Sequence, residues 1–371
     1  MTACGKIGVV TSFLGNLRAG TWTYTARLLD ALAGREDLWT LDREERALPG
    51  LEQIPRRVYP GGAGMPAKFS WPNFTLPKRA DEEGFKLVHC TTPYGTFMPS
   101  GYRNVITICD VTPLLFPECH GRMNVWHHRF ILPHILKRAG GIITISESSK
   151  RDIVARYGVL PEKVTVTPLA ADRRFRPVPS GVPGEEVARL PRPYLLNVGT
   201  LEPRKNLEGL LRAFALARRK NLPHKLVITG AKGWGTSRLA PLVRELALEE
   251  SVIFTGFVVD EDLPHLYARA DFFVYPSLYE GFGLPPLEAM ASGTPVITAN
   301  CSSLPEVTGA AALLVDPRNV EELAAAMTTM AFDSALRERL RGEGMKRAEM
   351  FSWERTAEAT VAVYRQVLGS T

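Results

Sequence analysis

Glu280 and Glu288 stand on either side of a short loop rich in glycine and proline, within FFVYPSLYEGFGLPPLEAMASGTPVITA, residues 272–299. Glu280 follows a predicted strand, and Glu288 lies in or beside the first turn of the next predicted helix. That helix begins at Pro285 and Pro286, because proline is favoured at the first helical positions. Carboxylates accept hydrogen bonds from paired hydroxyl groups, so the two acids suit a sugar or another polyol. The alternative is that Glu288 only complements the helix dipole and that Glu280 is solvated.

The loop between the two acids is suited to close contact with a ligand. Gly281 and Gly283 have no side chain, so the backbone there offers N–H donors at short range. Gly293 is a natural C-cap for the helix that follows. The loop therefore adds hydrogen-bond donors to the acceptors of the two glutamates.

A pair of cations precedes another predicted helix, in LLNVGTLEPRKNLEGLLRAF, residues 195–214. The strand in this stretch ends at Gly199 and Thr200, and Arg204 and Lys205 stand immediately before the helix. Cations beside a helix N-terminus form an anion site, and phosphate is the usual occupant. A lone pair of cations would more often be a solvated turn. Because the two acids lie in the same half of the chain, a pyrophosphate beside a sugar is the more economical interpretation.

Short apolar runs alternate with helical patterns along the whole chain, which indicates parallel sheets with crossover helices. The predicted strands are KIGVVTS, KLVHC, NVITICD and GIITIS in the first half, and YLLNVGT, KLVITG, SVIFTGFV, FFVYPS, TPVITA and AALLVD in the second. A proline-rich and glycine-rich piece, residues 59–77, shows no periodicity and is predicted to be a long loop. Ser149 and Asp152 are predicted to form a capping box for a helix that ends at Gly158.

The predicted fold class is α/β, with two Rossmann-like, doubly wound parallel-sheet domains that face a cleft. We expect a first domain over residues 1–175, a linker over 176–192 and a second domain over 193–352. The amphipathic helix 353–368 is expected to pack back on the first domain. In open α/β sheets ligands bind beyond the carboxyl ends of the strands, so the loops after strands should carry the chemistry.

Composition excludes several classes of protein. The chain has 371 residues, 45% of them hydrophobic, and no apolar run as long as a transmembrane helix. The start MTACGKIGVV reads as a strand rather than a signal peptide, so we expect a cytoplasmic protein. Five cysteines without a CxxC pair suggest neither a disulfide framework nor a zinc site. The net charge of +6 is concentrated in the first half, where it indicates either an anionic partner, such as a phosphorylated substrate or an anionic membrane surface, or only a solvated basic surface. Nucleic acid is disfavoured as a partner because no binding motif is present.

The combination of GTLEPRKNL, TGFV, YEGFGLPPLEAMASGTPVI and SLPEVTGAAALLVDP resembles the C-terminal domain of family 4 glycosyltransferases, retaining enzymes with the GT-B fold. In the first half TYTARLL, TICDVTPLLFPE and ITISESSKRDI resemble the same family. Glu280 and Glu288, with seven residues between them, match the Glu-x7-Glu motif of the family. The resemblance implies a hexosyltransferase of the mannosyltransferase type that uses a nucleotide sugar as donor, with no metal and no cofactor.

The resemblance also implies a role for each matching residue. Arg204 and Lys205 would hold the donor diphosphate, Glu280 would bind hydroxyl groups of the transferred sugar, and Glu288 would bind the nucleotide ribose. Further donor contacts are implied for Gly15, Gly199, Thr200, Gly230, Gly256, Phe257, Val258, Gly281, Phe282, Gly283 and Leu284. Asp110 would contact the sugar or the acceptor. Cys109 precedes it where the family commonly has histidine, so another group does the work of that histidine or the donor differs.

The donor and the acceptor remain open at this stage. GDP-mannose is the first expectation for the donor and a UDP-sugar the second, because EPRKNL and TICDVTPL look like bacterial mannosyltransferases. The acceptor is a polysaccharide, a natural product or a lipid-linked glycan, and the last would place the protein at the inner face of the membrane. The rivals are a nucleotide-sugar epimerase, a phosphorylase, a sugar-binding module without turnover and a dehydrogenase, which is disfavoured because no GxGxxG follows a strand.

Overall fold

A computed structural model of the chain describes residues 5–14, 20–45, 48–62 and 64–369. The strands in these ranges are β1 (Ile7–Val10), β2 (Leu38–Asp42), β3 (Arg56–Val58), β4 (Leu87–Cys90), β5 (Arg103–Thr107), β6 (Gly141–Thr144), β7 (Val164–Val166), β8 (Tyr194–Val198), β9 (Lys225–Thr229), β10 (Val252–Gly256), β11 (Phe272–Tyr275), β12 (Val296–Ala299) and β13 (Ala312–Val315).

Helices connect most of these strands. The α-helices are α1 (Gly20–Leu32), α2 (Gly64–Ser70), α3 (Leu76–Glu82), α4 (Thr112–Leu115), α5 (Arg122–Trp126), α6 (Leu132–Arg138), α7 (Glu147–Tyr157), α8 (Glu185–Ala188), α9 (Leu207–Arg219), α10 (Leu239–Glu245), α11 (Leu263–Arg269), α12 (Leu284–Ala291), α13 (Leu304–Thr308), α14 (Val320–Phe332), α15 (Ser334–Ala348) and α16 (Trp353–Leu368). Turns of π-helix cover Trp71–Thr75 and His127–Ile131, and turns of 3₁₀-helix cover Pro117–Cys119, Pro161–Lys163, Pro203–Lys205 and Thr236–Arg238. Within the described residues no helix is both long and apolar enough to cross a membrane.

The first compact unit combines Met1–Leu169 with Ser352–Thr371. Its parallel sheet has the strand order β3-β2-β1-β4-β5-β6-β7. The last helix, α16, belongs to this unit and packs on it through a polar contact in the core, because His89 Nδ1 lies 2.8 Å from the hydroxyl of Tyr364. Burial lowers the pKa of His89 to about 3, so this strand histidine is neutral and structural.

The second unit, Ala170–Phe351, has a parallel sheet with the order β10-β9-β8-β11-β12-β13. The apolar runs that predict β8, β11 and β12 become fully buried segments, as expected for the centre of a sheet covered on both faces. The long amphipathic helix α9 packs its apolar stripe beside α14, and both helices contribute to one core cluster.

Each sheet has one point where the strand order reverses. In the second unit β8 lies between β9 and β11, so the loops after β8 and β11 diverge at their carboxyl ends. A crevice at such a switch point is where open α/β sheets bind ligands. The loop with Arg204 and the loop with Glu280, both predicted to bind the ligand, begin at this edge of the sheet.

The strand prediction is confirmed for all six strands of the second unit and for four of the first. It missed β2, β3 and β7, because β3 and β7 are only three residues long and β2 mixes polar residues with apolar ones. The predicted long loop over 59–77 is wrong. Short helical pieces occupy most of it, and Pro72 and Pro77 stand at helical first positions, where proline is tolerated.

The predicted cap of α7 is also wrong in its first residue. Ser146, not Ser149, is the N-cap, and its hydroxyl accepts a hydrogen bond from the Ser149 amide at 3.0 Å. The Ser149 hydroxyl instead donates to the carbonyl oxygen of Cys109 at 2.8 Å. Gly158 ends the helix with a φ of 63°, as predicted.

Candidate functional site

The loop after β8 presents its two cations on a single turn of 3₁₀-helix, Pro203–Lys205. Asn206 follows with a φ of 56° and begins α9 as its N-cap. The Asn206 side-chain amide donates to the carbonyl oxygen of Pro317 at 2.6 Å, which fixes the turn to the rest of the unit. Arg204 and Lys205 therefore lie directly before a helix N-terminus, as the sequence predicts.

Both cations bind the same carboxylate. Lys205 Nζ lies 2.7 Å from Oε1 of Glu280, and Arg204 Nη1 lies 3.0 Å from Oε2. All three side chains are almost buried, with 10–15% of each exposed. The family resemblance assigns Glu280 to the sugar and the cations to the diphosphate, and the structure joins the three side chains in one ion cluster.

Further partners hold the two cations in place. Lys205 also donates to the hydroxyl of Tyr275 at 2.6 Å. Arg204 donates to Oε1 of Glu202 at 2.5 Å and to the carbonyl oxygen of Tyr279 at 2.7 Å. Because each cation has several acceptors, its position is set before any ligand arrives.

The cluster shifts the pKa values of its members. Burial alone would raise the pKa of Glu280, but the adjacent charges of Lys205 and Arg204 outweigh it and lower the pKa to about 2. Burial lowers the pKa of Lys205, and the charge of Glu280 partly offsets this effect. Glu280 is therefore a carboxylate at neutral pH, and the protonation of Lys205 depends on it.

Two serines fix the loop that carries Glu280. The Glu280 amide donates to the hydroxyl of Ser302 at 2.9 Å. The hydroxyl of Ser303 lies 2.8 Å from the carbonyl oxygen of Glu280 and 2.7 Å from that of Phe282. With these carbonyl groups bound to serine, the loop runs on to Gly283, whose φ of 112° allows it to cap α12.

The start of α12 differs from an ordinary helix N-terminus. Pro285 and Pro286 are its second and third residues and have no amide hydrogen. The backbone donors that face a ligand here would therefore come from Gly281–Leu284, of which only Leu284 belongs to the helix. Gly281, Phe282 and Gly283 are buried, so these donors would work in a low-dielectric setting.

Glu288 is the fifth residue of α12 and has a different partner from Glu280. Its Oε2 accepts a hydrogen bond from the hydroxyl of Tyr267 at 3.0 Å. Burial raises the pKa of Glu288 to about 7, although the Tyr267 hydrogen bond and the charge of Arg174 act in the opposite direction. Glu288 therefore changes its charge near neutral pH, whereas Glu280 does not.

Three glycines lie along the carboxyl edge of β8, β9 and β10. The Gly199 amide donates to Thr229, and the Gly230 amide donates to Gly256 at 2.8 Å. A Cβ atom on Gly230 would stand 1.9 Å from the carbonyl oxygen of Gly199, so a side chain is excluded there. The edge beyond is open, because Thr200 is exposed and Phe257 is 38% exposed, while Val258 is buried.

Family models match both halves of the chain. The model described as "Glycosyltransferase Family 4" matches residues 18–175, and the one described as "Glycosyl transferases group 1" matches residues 184–347. The "O-antigen chain mannosyltransferase B" of Escherichia coli is 35% identical over 301 residues, which cover 79% of this chain and 73% of that protein. The chain belongs to glycosyltransferase family 4.

Other relatives of this glycosyltransferase are longer. The "Serotype-specific mannosyltransferase WbdA" of Escherichia coli is 30% identical over 276 residues, which cover 71% of this chain but only 34% of that protein. Among solved structures, the sucrose-phosphate synthase of Thermosynechococcus elongatus matches with a TM-score of 0.74 at 22% identity, over 99% of this chain and 100% of that one. This likeness concerns the fold, and the predicted GT-B class with two parallel-sheet α/β units is confirmed.

Sequence reasoning missed several residues of this candidate site. Tyr267 and Tyr275 give no signal of their own, because each is an aromatic residue in a buried element. Glu202 lies two residues before Arg204, and an acid so close to a cation pair could have been recognised as its partner. Ser302 and Ser303 follow β12, and only the order of the strands places them beside Glu280.

The first unit contains three of the positions singled out in the sequence, Asp110, Cys109 and Gly15. Asp110 Oδ1 accepts hydrogen bonds from the amide of Thr112 at 2.8 Å and from its hydroxyl at 2.5 Å, so Asp110 closes a turn after β5. Burial raises the pKa of Cys109 to about 12, so the thiol is protonated and is not a substitute for an ionisable histidine. Gly15 lies outside the described residues.

Proposed function

We propose that this glycosyltransferase transfers a mannosyl group from a nucleoside-diphosphate sugar to a hydroxyl group of a glycan, with retention of configuration and without a metal ion. The observation that carries the proposal is the cluster of Arg204, Lys205 and Glu280 at the switch point of the second sheet. Cations at that position favour a diphosphate, and the adjacent carboxylate favours hydroxyl groups.

The reaction proposed for this cluster needs no nucleophile from the protein. The bond between the anomeric carbon and the diphosphate oxygen breaks, and the acceptor oxygen bonds to the anomeric carbon on the same face. The acceptor proton moves to the departing phosphate. Arg204 and Lys205 would stabilise the negative charge that grows on that phosphate, and because both are already fixed by hydrogen bonds they lose little freedom in doing so.

Glu280 would have two tasks in this mechanism. Its two oxygens bind Lys205 and Arg204, which keeps the cations in position and favours the charged form of Lys205. A carboxylate has about four acceptor sites, so both oxygens retain capacity for hydroxyl groups of the transferred sugar. The same residue can therefore align the leaving group and the sugar.

The remaining donor contacts are proposed from the edge of the same sheet. Glu288 would accept hydrogen bonds from the ribose, and the Gly281–Leu284 backbone would assist at the sugar. The open edge formed by Gly256 and Phe257 would receive the base, with the glycines after β8 and β9 allowing close approach. GDP-mannose is the first donor we propose and a UDP-sugar the second, since the relatives reported above are named mannosyltransferases.

The acceptor proposed is a polysaccharide or a lipid-linked glycan. The lipid-linked glycan would bring the protein to a membrane surface. The helical run α5, His127–Ile131 and α6 supports this, because its exposed side carries Met123 (46%), Trp126 (41%) and Phe130 (52%). The exposed basic residues of the run are Arg122, Arg129, Lys137 and Arg138, and residues 120–146 contain no acid. Apolar side chains among cations suit an anionic lipid surface.

The experiment that tests the proposal starts with the donor. Purified protein is heated with GDP, UDP, ADP, dTDP and NAD in turn, at about 100 times the expected dissociation constant, where binding adds about 2.7 kcal/mol of stability. The responding nucleotide is then supplied as its sugar with a mannooligosaccharide acceptor, and NMR of the product reads the anomeric configuration. We expect a response to GDP and an α-mannoside from GDP-α-mannose. A response to NAD alone, silence with every nucleotide, or an inverted product would overturn the proposal.

A further inference from the structure

A cavity of about 220 Å³ lies beside the cation loop of the second unit, and Glu202 and Pro203 of that loop line it. Its lining includes an aromatic ring, two acids and a hydroxyl group: Trp234, Glu202, Glu208 and Thr236. Leu207 and Leu239 also line it, with Pro203, Asn206 and Gly235. The volume is below the roughly 300–1,000 Å³ typical of drug-sized ligands, so it suits a group about the size of one ring.

Trp234 stands out in this lining because 51% of its surface is exposed. The tryptophan lies in the loop after β9, and ligand sites are commonly lined by aromatic side chains together with a few polar groups, as this cavity is. No role in the transfer reaction is proposed for it above.

The loop that carries Trp234 is fixed to the loop that carries the cations. A β-bridge joins Leu201 to Lys232, and the Gly233 amide donates to the carbonyl oxygen of Leu201 at 3.1 Å. A Cβ atom on Gly233 would stand 2.6 Å from that oxygen, and one on Gly235 would stand 2.7 Å from Cγ of Pro203. Because the two loops touch through glycine backbone, the position of Trp234 is tied to that of Arg204.

We propose that this cavity is an additional carbohydrate subsite, which binds one pyranose ring against Trp234. A pyranose has a face of C–H groups that packs on an aromatic ring and a rim of hydroxyl groups that donate to carboxylates. Glu208 and Thr236 supply polar groups for that rim, and Glu202 links the subsite to Arg204 through the hydrogen bond between them. An anionic ligand is disfavoured here, because two acids line the cavity.

The pyranose could come from two sources with the same chemistry. It is either a sugar unit of the growing glycan or a free saccharide that regulates the cation loop. The proposal goes beyond the transfer reaction proposed above, and direct binding tests it with no donor and no turnover. Failure of the subsite and failure of the proposed reaction are therefore distinguishable.

The test measures binding of methyl α-D-mannopyranoside and of α-linked mannotriose by ligand-observed NMR and calorimetry. The variants are Trp234→Ala, Trp234→Phe, which keeps a stacking ring, and Glu208→Gln. Trp126→Ala is the matched control, because Trp126 is an exposed tryptophan of the other unit. We expect Trp234→Ala to weaken binding at least about fivefold while Trp234→Phe and the control stay near wild type. Circular dichroism and the melting temperature confirm that each variant is folded.

Each outcome of this test is decisive. Stronger binding of mannotriose than of the monosaccharide would assign the subsite to a glycan chain, and equal binding would assign it to a free sugar; both require loss in Trp234→Ala. Absence of sugar binding by the wild type, or equal binding by Trp234→Ala, would overturn the proposal. Binding of guanosine in place of sugar, lost in Trp234→Ala, would overturn it as well and would make the cavity a nucleobase site.

Discussion

Glu280 Oε1 lies 2.7 Å from Lys205 Nζ, although the two residues are 75 positions apart in the chain. The contact exists because β8 and β11 are neighbours in the sheet, so the loops that follow them meet at the switch point. A backbone hydrogen bond of 2.9 Å from Leu278 to Arg204 joins the same two loops. The ion cluster is thus the place where the two halves of the second sheet are held together at their carboxyl ends.

Removing either cation of this cluster should slow turnover. We expect Arg204→Ala and Lys205→Ala each to lower kcat by about two orders of magnitude, since loss of one donor to a developing anion costs about that much. Steady-state kinetics at saturating donor measures the effect, and Lys220→Ala, at an exposed position, is the control. Near-normal kcat in both cluster variants would show that they do not stabilise the leaving group.

Replacing Glu280 should change the pH dependence of the reaction. Burial already lowers the pKa of Lys205, and the charge of Glu280 raises it, so Glu280→Gln should lower it further. Lys205 then loses its proton at lower pH, and the alkaline limb of the kcat profile should move to lower pH. Glu202 contributes less to the Lys205 pKa, so Glu202→Gln should move the limb less. If the alkaline limb is unchanged in Glu280→Gln, the Glu280 carboxylate does not control the protonation of Lys205.

Much of the second unit could be predicted from the sequence. Its six strands are continuous apolar runs, such as FFVYPS, that have no helical period, and the Arg204–Lys205 pair is recognisable because a helix pattern starts directly after it. The class of ligand that we propose follows from residue types alone. These features depend on neighbours in the chain, and sequence patterns report them well.

Side-chain partners across the sheet could not be predicted in the same way. The contact between Glu280 and Lys205 exists because β8 lies beside β11 in the sheet. No local sequence pattern predicts the order of the strands. The Tyr267–Glu288 hydrogen bond joins α11 to α12 and raises the same difficulty. Residues 59–77 show the opposite error, because their prolines suggest a loop although Pro72 and Pro77 lie in the first turn of helical segments.

The charge of Glu288 should control nucleotide affinity near neutral pH. Its pKa of about 7 means that the carboxylate fraction rises about tenfold between pH 6 and pH 8. Ribose hydroxyl groups donate hydrogen bonds, so affinity for the nucleoside diphosphate should rise by about the same factor. Calorimetry across this range measures it, and Glu288→Gln should flatten the dependence whereas Glu249→Gln, at an exposed site, should not. A dependence that persists in Glu288→Gln would assign it to another group.

The Glu288 carboxyl group also makes the stability of the protein depend on pH, in a direction that its pKa shift defines. In the unfolded chain the carboxyl has its ordinary pKa of 4.5, and folding raises it to about 7. The contribution is therefore complete below pH 4.5 and is lost as the pH rises through 7, by at most about 3 kcal/mol. Denaturant unfolding of the wild type and of Glu288→Gln should differ in pH dependence by up to this amount. If the free energies of unfolding of the two proteins have the same pH dependence, the pKa of Glu288 is not raised.

Asp110 allows its structural and functional roles to be separated by two substitutions. Asp110→Asn keeps an acceptor oxygen for the Thr112 amide, so its melting temperature should stay near wild type, whereas Asp110→Ala should lose about 1 kcal/mol. If the carboxylate also contacts the sugar or the acceptor, Asp110→Asn should lower kcat/KM by about tenfold or more. Full activity in Asp110→Asn would show that Asp110 only closes the turn and has no role in the reaction.

The exposed side of the helical run from α5 to α6 should bind anionic vesicles. Three large apolar side chains lie exposed there among four basic residues. Binding to a vesicle therefore needs both the apolar side chains and the positive charges, and it weakens as salt screens the charges. We expect co-sedimentation with phosphatidylglycerol vesicles, little with phosphatidylcholine alone, and loss of at least about tenfold in Trp126→Ser/Phe130→Ser. Trp234→Ser removes an exposed tryptophan from the other unit and should bind as the wild type does. If the double variant sediments like the wild type, the membrane contact lies elsewhere; if neither sediments, these residues serve a different partner.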